Sequence, residues 1–139
     1  MGHAEHIRRL YDLLNAGDIE AFGAQLADDF VEHEEFPGIA ATREGVQQLF
    51  RMQVAAFPDF HMQPEDILVS GDKAVARVRL TGTHQAEFMG IPATGRRIDI
   101  QLIDIIRFGE DGLAHEHWGV SDSLALMQQL GAIPEGVPA

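Results

Sequence analysis

The sequence has no cysteine among its 139 residues. Disulfide bonds, thiolate nucleophiles and cysteine-based metal sites are therefore excluded. Positive charge is also scarce, since 10 Lys and Arg residues stand against 22 Asp and Glu, for a formal net charge of −12. A chain this acidic repels a phosphate backbone, so we expect no nucleic-acid partner.

Long apolar runs are missing as well. No stretch approaches the roughly 20 apolar residues that a membrane helix needs, so we expect no membrane partner. The opening residues, MGHAEHIRRL, lack the apolar core of a signal peptide, which predicts a cytoplasmic protein. The length and a hydrophobic fraction of 45% fit one globular domain over residues 1–139.

Apolar residues at three- and four-residue spacing predict three helices before Pro58. The first ends near Gly17, Asp18 is the expected N-cap of the second, and Thr42 caps the third. A fourth, short helix begins after Asp122. The inward faces of the first three helices are Ile7, Leu10, Tyr11 and Leu14; Ile19, Phe22 and Leu26; and Val46, Leu49, Phe50 and Val54.

Strand patterns dominate the second half of the chain, after a short strand at 30–33. Residues 60–69 lead through the turn SGDK into 74–84, and 96–108 lead through GEDG into 113–121. Alternation in 74–84 separates an apolar face from a charged one: Ala76, Val78, Leu80 and His84 against Arg77 and Arg79. Helices followed by antiparallel strands predict an α+β fold, with helices on one face of a bent sheet that can enclose a pocket.

The register of the last hairpin determines which polar side chains lie next to each other. If GEDG is a four-residue loop, the pairing places Asp104 directly opposite His117 on a mostly aliphatic face, with Trp118 on the other face. Directly paired side chains have Cβ atoms about 4.5–5.5 Å apart, close enough for a hydrogen bond. Such an Asp–His pair is a candidate acid–base unit, because desolvation makes either group a better proton acceptor. The alternative is two buried polar groups that only satisfy each other.

Several other residues are candidates for the site. His115 and His117, with Asp104, have the composition of a two-histidine, one-carboxylate metal set. Matches to His-x-His are common, however, and we predict neither a metal nor a cofactor.

His84 ends a strand on its apolar side, where it can line the pocket or cap the following loop. Glu32 and His33 alternate on the short strand, so only one of them faces inward. Asp122 is expected to be a helix cap. The apolar candidates for the pocket wall, which fit plain core equally well, are Phe36, Phe50 and Met89.

The segments GTHQAEFMGIPATGRRI and RFGEDGLAHEHWGVSDSLALMQQLG resemble the SnoaL-like polyketide cyclases, a branch of the nuclear-transport-factor-two-like superfamily. The likeness runs from IRRLYDLLNAGDIEAF to the late QQLG. It implies a cone-shaped α+β barrel, in which three N-terminal helices pack on a strongly curved, mainly antiparallel sheet with a short C-terminal helix. It also implies a homodimer or homotetramer, and intramolecular aldol condensation of a small, hydrophobic, carbonyl-rich substrate without metal or cofactor.

The resemblance also assigns pocket residues, with one departure. The family's histidine on the last strand matches His117, but its catalytic aspartate, two positions later, falls at Gly119. A pocket histidine on the preceding strand falls at Asp104, the histidine before MGIP at His84, and an asparagine near the first strand at Glu32. We therefore expect Asp104 to act as the base, with His117 orienting it or stabilising an enolate, and Gly119 leaving room for substrate. A different reaction, such as isomerisation or hydrolysis, and ligand binding without turnover remain alternatives.

Overall fold

The computed structural model describes residues 2–134, which form four helices and five strands. In chain order these are α1 (His3–Asn15), α2 (Ile19–Ala24), β1 (Leu26–Glu32), α3 (Arg43–Ala56), β2 (His61–Ser70), β3 (Lys73–Thr83), β4 (Arg97–Phe108), β5 (Ala114–Ser121) and α4 (Ser123–Gln129). Within this described range, no helix has the length and apolar character needed to cross a membrane.

The predicted helix starts are confirmed. Asp18, Thr42 and Asp122 each accept a hydrogen bond from the backbone N–H three residues later, at 3.0, 3.2 and 3.1 Å. Each bond satisfies a donor that the first helical turn leaves free. The prediction for Leu26 was wrong: α2 ends at Ala24, and Leu26 opens β1 by pairing with β5. Its side chain is buried in the core all the same.

The five strands form one sheet in the order β1-β5-β4-β3-β2. β1 runs parallel to β5, and the other neighbours are antiparallel. The sheet is curved but open, with β1 and β2 at its edges. The predicted α+β fold, with helices on a curved and mainly antiparallel sheet, is confirmed.

The main core lies between the helices and the inner face of this sheet. α1 packs across β2 and β3, while α3 packs on α2 and β1. The alternation predicted for β3 is confirmed, because the side chains of its apolar set are buried: Ala76, Val78, Leu80 and His84. Arg77 and Arg79 lie on the opposite face, paired with Asp66 and Asp99.

The predicted register of the β4–β5 hairpin was wrong by two residues. Asp104 pairs with Gly119 and not with His117, whose partner is Ile106. The error has two sources. Phe108 pairs with Ala114 and not with Leu113, which shifts the register by one residue, and a bulge at His115, which has no partner on β4, shifts it by one more. Beyond the bulge, a shift of two residues keeps each side chain of β5 on its predicted face. Asp104 and His117 therefore still share the inner face, as diagonal neighbours.

Candidate active site

A cavity of about 110 Å³ lies between the helices and the inner face of the sheet. Most of its wall is apolar and includes Leu10, Leu14, Phe22, Phe30, Phe50 and Leu102. Its polar side chains are few and include Glu32, Glu34, Asp104, His117 and Ser121. An apolar hollow with a small convergent polar group is the usual form of a small-molecule site.

Four residues of this site form a continuous hydrogen-bonded chain. The hydroxyl of Tyr11 donates to Asp104 Oδ2 at 2.7 Å. His117 Nε2 donates to Asp104 Oδ1 at 2.7 Å, and His117 Nδ1 donates to Glu32 Oε1 at 2.5 Å. We refer to Tyr11, Asp104, His117 and Glu32 as the inner chain. Because its members come from α1, β4, β5 and β1, the chain depends on the whole fold.

His117 is a cation held between two carboxylates. Burial opposes the charged ring, but hydrogen bonds to Asp104 and Glu32 outweigh burial and raise the pKa of His117 to about 10. Both ring nitrogens therefore carry protons at neutral pH, and neither can accept one. Burial and the adjacent Asp104 carboxylate raise the pKa of Tyr11 well above its usual value, so its hydroxyl remains a neutral donor. Within the inner chain, Asp104 accepts from two donors.

Glu34 lies beside the inner chain, in the segment between β1 and α3. Its Oε2 accepts a hydrogen bond from Ser121 Oγ at 3.2 Å, and its backbone N–H donates to Glu32 Oε1 at 2.9 Å. Burial raises the pKa of Glu34, opposed by the charge of His117 and assisted by that of Asp104. The Glu34 carboxyl group is thus a weaker acid than an exposed glutamate.

Sequence reasoning did not assign Tyr11 or Glu34 to the site. Tyr11 occupies an inward position of a helix, where the sequence predicts only core. Glu34 follows the short strand, but the alternation of Glu32, Glu34 and Phe36 was a usable signal, since all three line the cavity.

The residues predicted to bind substrate lie at several places in the structure. Glu32 and Phe50 line the cavity. Gly119 borders its polar end, where an added Cβ atom would lie 2.5 Å from Glu34 Oε1. Met89 lines a second cavity of about 80 Å³, which shares Glu34 and Ser121 with the first.

His33 and Trp118 lie on the outer face of the sheet, away from the cavity. Their rings stack with centroids 4.8 Å apart. His33 Nε2 lies 2.8 Å from Glu116 Oε2, and Arg107 Nε donates to Glu116 Oε1 at 2.7 Å. We refer to His33, Glu116 and Arg107 as the outer chain. Of the alternating pair Glu32 and His33, Glu32 is thus the inward residue.

His84 is fully buried but lines neither cavity. Its Nδ1 accepts the backbone N–H of Thr94 at 3.2 Å and lies 3.0 Å from Thr94 Oγ1, while its ring stacks on Phe57. These contacts favour the second of the two roles predicted for His84, which is to hold the loop that follows β3.

The structure does not bring His115 to His117 and Asp104. His115, at the bulge, has Nε2 3.1 Å from both carboxylate oxygens of Asp111. Glu34, Asp104 and His117 do have potential ligand atoms within 4.8 Å of one another. A histidine must present a deprotonated nitrogen to a metal, however, and His117 is protonated on both. Metal binding would have to break the inner chain.

Comparison with known proteins identifies a family. The model of the SnoaL-like polyketide cyclase family matches residues 4–130. The chain belongs to this family. A curated relative of this SnoaL-like chain is the aklanonic acid methyl ester cyclase DauD of Streptomyces sp. (strain C5), 25% identical over 136 residues, which cover 94% of this chain and 84% of DauD.

Two solved structures share the SnoaL-like fold at higher identity. TsrD from Streptomyces laurentii has a TM-score of 0.82 and 33% identity, over 96% of this chain and 99% of TsrD. IdmH from Streptomyces antibioticus has a TM-score of 0.79 and 35% identity, over 92% of this chain and 97% of IdmH. The resemblance inferred from the sequence is therefore confirmed at the level of family and fold.

Proposed function

We propose that this protein is a polyketide cyclase-like enzyme, which closes a ring in a hydrophobic, carbonyl-rich small molecule by intramolecular aldol condensation. The observation that carries the proposal is Asp104, a carboxylate that is buried at the polar end of an apolar cavity and held by Tyr11 and His117. Membership in the SnoaL-like family supports cyclase chemistry. The name of DauD supports an aromatic polyketide ester as the substrate class.

Asp104 is the proposed base. Each of its oxygens keeps a lone pair beyond the hydrogen bond that it accepts, and this lone pair can take a proton from a carbon next to a carbonyl group. His117 has committed both N–H groups to carboxylates, so it positions Asp104 and contributes its positive charge to the stabilisation of an enolate. The apolar wall excludes the water that would weaken this interaction.

The size of the site supports a substrate that spans two cavities. An enclosed apolar cavity of roughly 150 Å³ holds a single benzene ring, so the first cavity, at about 110 Å³, is too small for a polycyclic molecule. The adjoining cavity shares five wall residues with it: Glu34, Phe36, Gln53, Leu80 and Ser121. Movement of these side chains would join the two, and the middle of a long substrate would then lie at the polar end.

We also propose that the reaction needs no metal or cofactor, since the inner chain supplies a base, a fixed cation and a neutral donor. A homo-oligomer in the cytoplasm remains part of the proposal. Assembly as a homo-oligomer is supported by exposed apolar side chains on the outer sheet face, at Val31, Ile103 and Val120.

Asp104→Asn tests the proposal. With aklanonic acid methyl ester as substrate and the cyclised product measured by liquid chromatography and mass spectrometry, we expect the rate to fall by about 10²- to 10⁴-fold. Glu116→Gln is the matched control, because it removes a carboxylate on the outer face of β5 and should retain wild-type turnover. Circular dichroism checks that both variants fold. Wild-type turnover by folded Asp104→Asn would contradict the proposal, and binding of the ester without any product would favour a binding protein.

A further inference from the structure

We propose that Glu34 is the proton donor of the aldol step, giving a proton to the oxygen of the attacked carbonyl group while Asp104 takes one from the attacking carbon. This inference rests on the proposed function and assigns a second catalytic residue to it.

The position of the Glu34 carboxyl group depends on Gly119. A Cβ atom added at Gly119 would lie 2.5 Å from Glu34 Oε1, and 2.7 and 2.9 Å from Cε1 and Nε2 of His117. A Cβ atom does not approach other heavy atoms so closely, so any side chain at position 119 would displace the Glu34 carboxyl group and the His117 ring. The bare backbone at Gly119 therefore admits a carboxyl group from another part of the chain to the space beside Asp104 and His117.

Glu34 is also placed where a long substrate would have its middle. Glu32, Asp104 and His117 line the first cavity, whereas Glu34 lines both the first and the second. A molecule that extends through both cavities would pass Glu34 with one part near Asp104. An acid and a base separated along the substrate suit a reaction that joins two of its carbons.

Glu34 and Asp104 have contrasting surroundings. Asp104 accepts hydrogen bonds at 2.7 Å from both Tyr11 and the imidazolium of His117, as an ionised carboxylate does. Glu34 accepts a longer bond from the neutral hydroxyl of Ser121, and burial raises its pKa. The charge of His117 opposes this shift of Glu34 without cancelling it. Two carboxyl groups in different environments can serve one reaction as base and acid.

The proposed step balances in atoms and charge. A C–H bond next to one carbonyl breaks, and its proton goes to Asp104. The electron pair forms a C–C bond to the second carbonyl carbon, whose oxygen receives the proton of Glu34. Asp104 ends neutral and Glu34 ends ionised. After the product leaves and water enters the cavity, one proton returns from Asp104 to Glu34. One oxygen of each lies within 4.8 Å of the other, a span that one water molecule can bridge.

Glu34→Gln tests the donor role, with Glu35→Gln, its exposed neighbour, as the matched control. The reaction with aklanonic acid methyl ester is run in D₂O and followed by mass spectrometry. Deuterium uptake into the unreacted ester above the rate measured without enzyme reports proton removal by the base, and the cyclised product reports the complete aldol step. We expect product formation in Glu34→Gln to fall about 10²-fold while uptake stays within about threefold of wild type. Glu35→Gln should match wild type in both.

The outcomes separate this inference from the proposed function. Unchanged product formation in Glu34→Gln would overturn the donor role and leave the cyclase proposal standing, and so would parallel loss of uptake and product. Absence of uptake and product in the wild type would instead contradict the proposed function. Infrared spectroscopy gives a readout without substrate: the band of a protonated carboxyl group at neutral pH should be present in wild type and Glu35→Gln, and absent in Glu34→Gln. Persistence of that band in Glu34→Gln would remove the basis for the inference.

Discussion

The inner and outer chains lie on opposite faces of the sheet, and each connects the end of β1 to β5 and β4. Apart from Tyr11, their residues are close or adjacent in sequence: Glu32, His117 and Asp104 inside, and His33, which directly follows β1, Glu116 and Arg107 outside. Inside, carboxylates enclose a partly buried histidine, and their hydrogen bonds raise its pKa to about 10. Outside, hydrogen bonds from His33 and Arg107 lower the pKa of Glu116. Similar residue types thus form a candidate catalytic group on one face and a solvated ion-pair network on the other.

The largest expected difference between the inner and outer chains is the loss of stability when the histidine of each is replaced. His117→Gln leaves the buried Asp104 and the partly buried Glu32 without a cation between them, and the loss of a partner from a buried ion pair costs about 3–5 kcal/mol of unfolding free energy. His33→Gln removes a partly exposed pairing, for which the cost is below about 1 kcal/mol. Urea unfolding at pH 7 measures both values. Equal losses would show that burial does not distinguish the two chains.

A pH titration of stability should affect the two chains in opposite ranges. The raised pKa of His117 stabilises the fold fully below pH 6.5, its unfolded value, and this contribution is lost as the pH rises through about 10. The lowered pKa of Glu116 stabilises the fold above its unfolded value and is lost in acid. Thermal unfolding between pH 3 and 10.5 should show a smaller alkaline decline in His117→Gln and a smaller acid decline in Glu116→Gln. An alkaline decline that persists in full in His117→Gln would contradict this assignment.

The smallest effect concerns a buried carboxyl group outside both chains. Because the pKa of Glu34 is raised, the folded state binds its proton more tightly, and stability falls as the pH rises through and above the unfolded value of 4.5. Glutamine stays neutral, so Glu34→Gln should raise Tm by about 1–3 °C at pH 8 and leave it unchanged at pH 4. Glu35→Gln should have no effect at either pH. A lower Tm for Glu34→Gln at pH 8 would show that its ionised form is stabilised by a partner.

The sequence predicted much of the fold because its signals are local. Asp18, Thr42 and Asp122 stand where helix caps belong, and the alternation around Val78 identifies the inner face of β3. The shared face of Asp104 and His117 was also predictable, since a two-residue error in register preserves the side of the sheet.

What the sequence could not predict depends on contacts distant along the chain. The loop between β4 and β5 is one residue longer than the assumed GEDG loop, and the bulge at His115 carries no proline or glycine signal, so the direct pairing of Asp104 with His117 was predicted wrongly. Tyr11 meets Asp104 across 93 positions, and nothing in a helical period distinguishes such a contact from ordinary core packing. Glu32 reaches His117 because β1 joins β5 in parallel, a pairing that no turn between the two strands announces.

A histidine ordinarily makes a protein responsive to the mild acidification that cells experience, because its free ring titrates between pH 5 and 8. The hydrogen bonds of His117 to Asp104 and Glu32 abolish that sensitivity. In electrostatic terms the residue behaves as lysine or arginine would, yet it is a short, flat group whose two donors point in fixed directions. The protein thereby carries a cation whose charge is unaffected by changes of pH around neutrality.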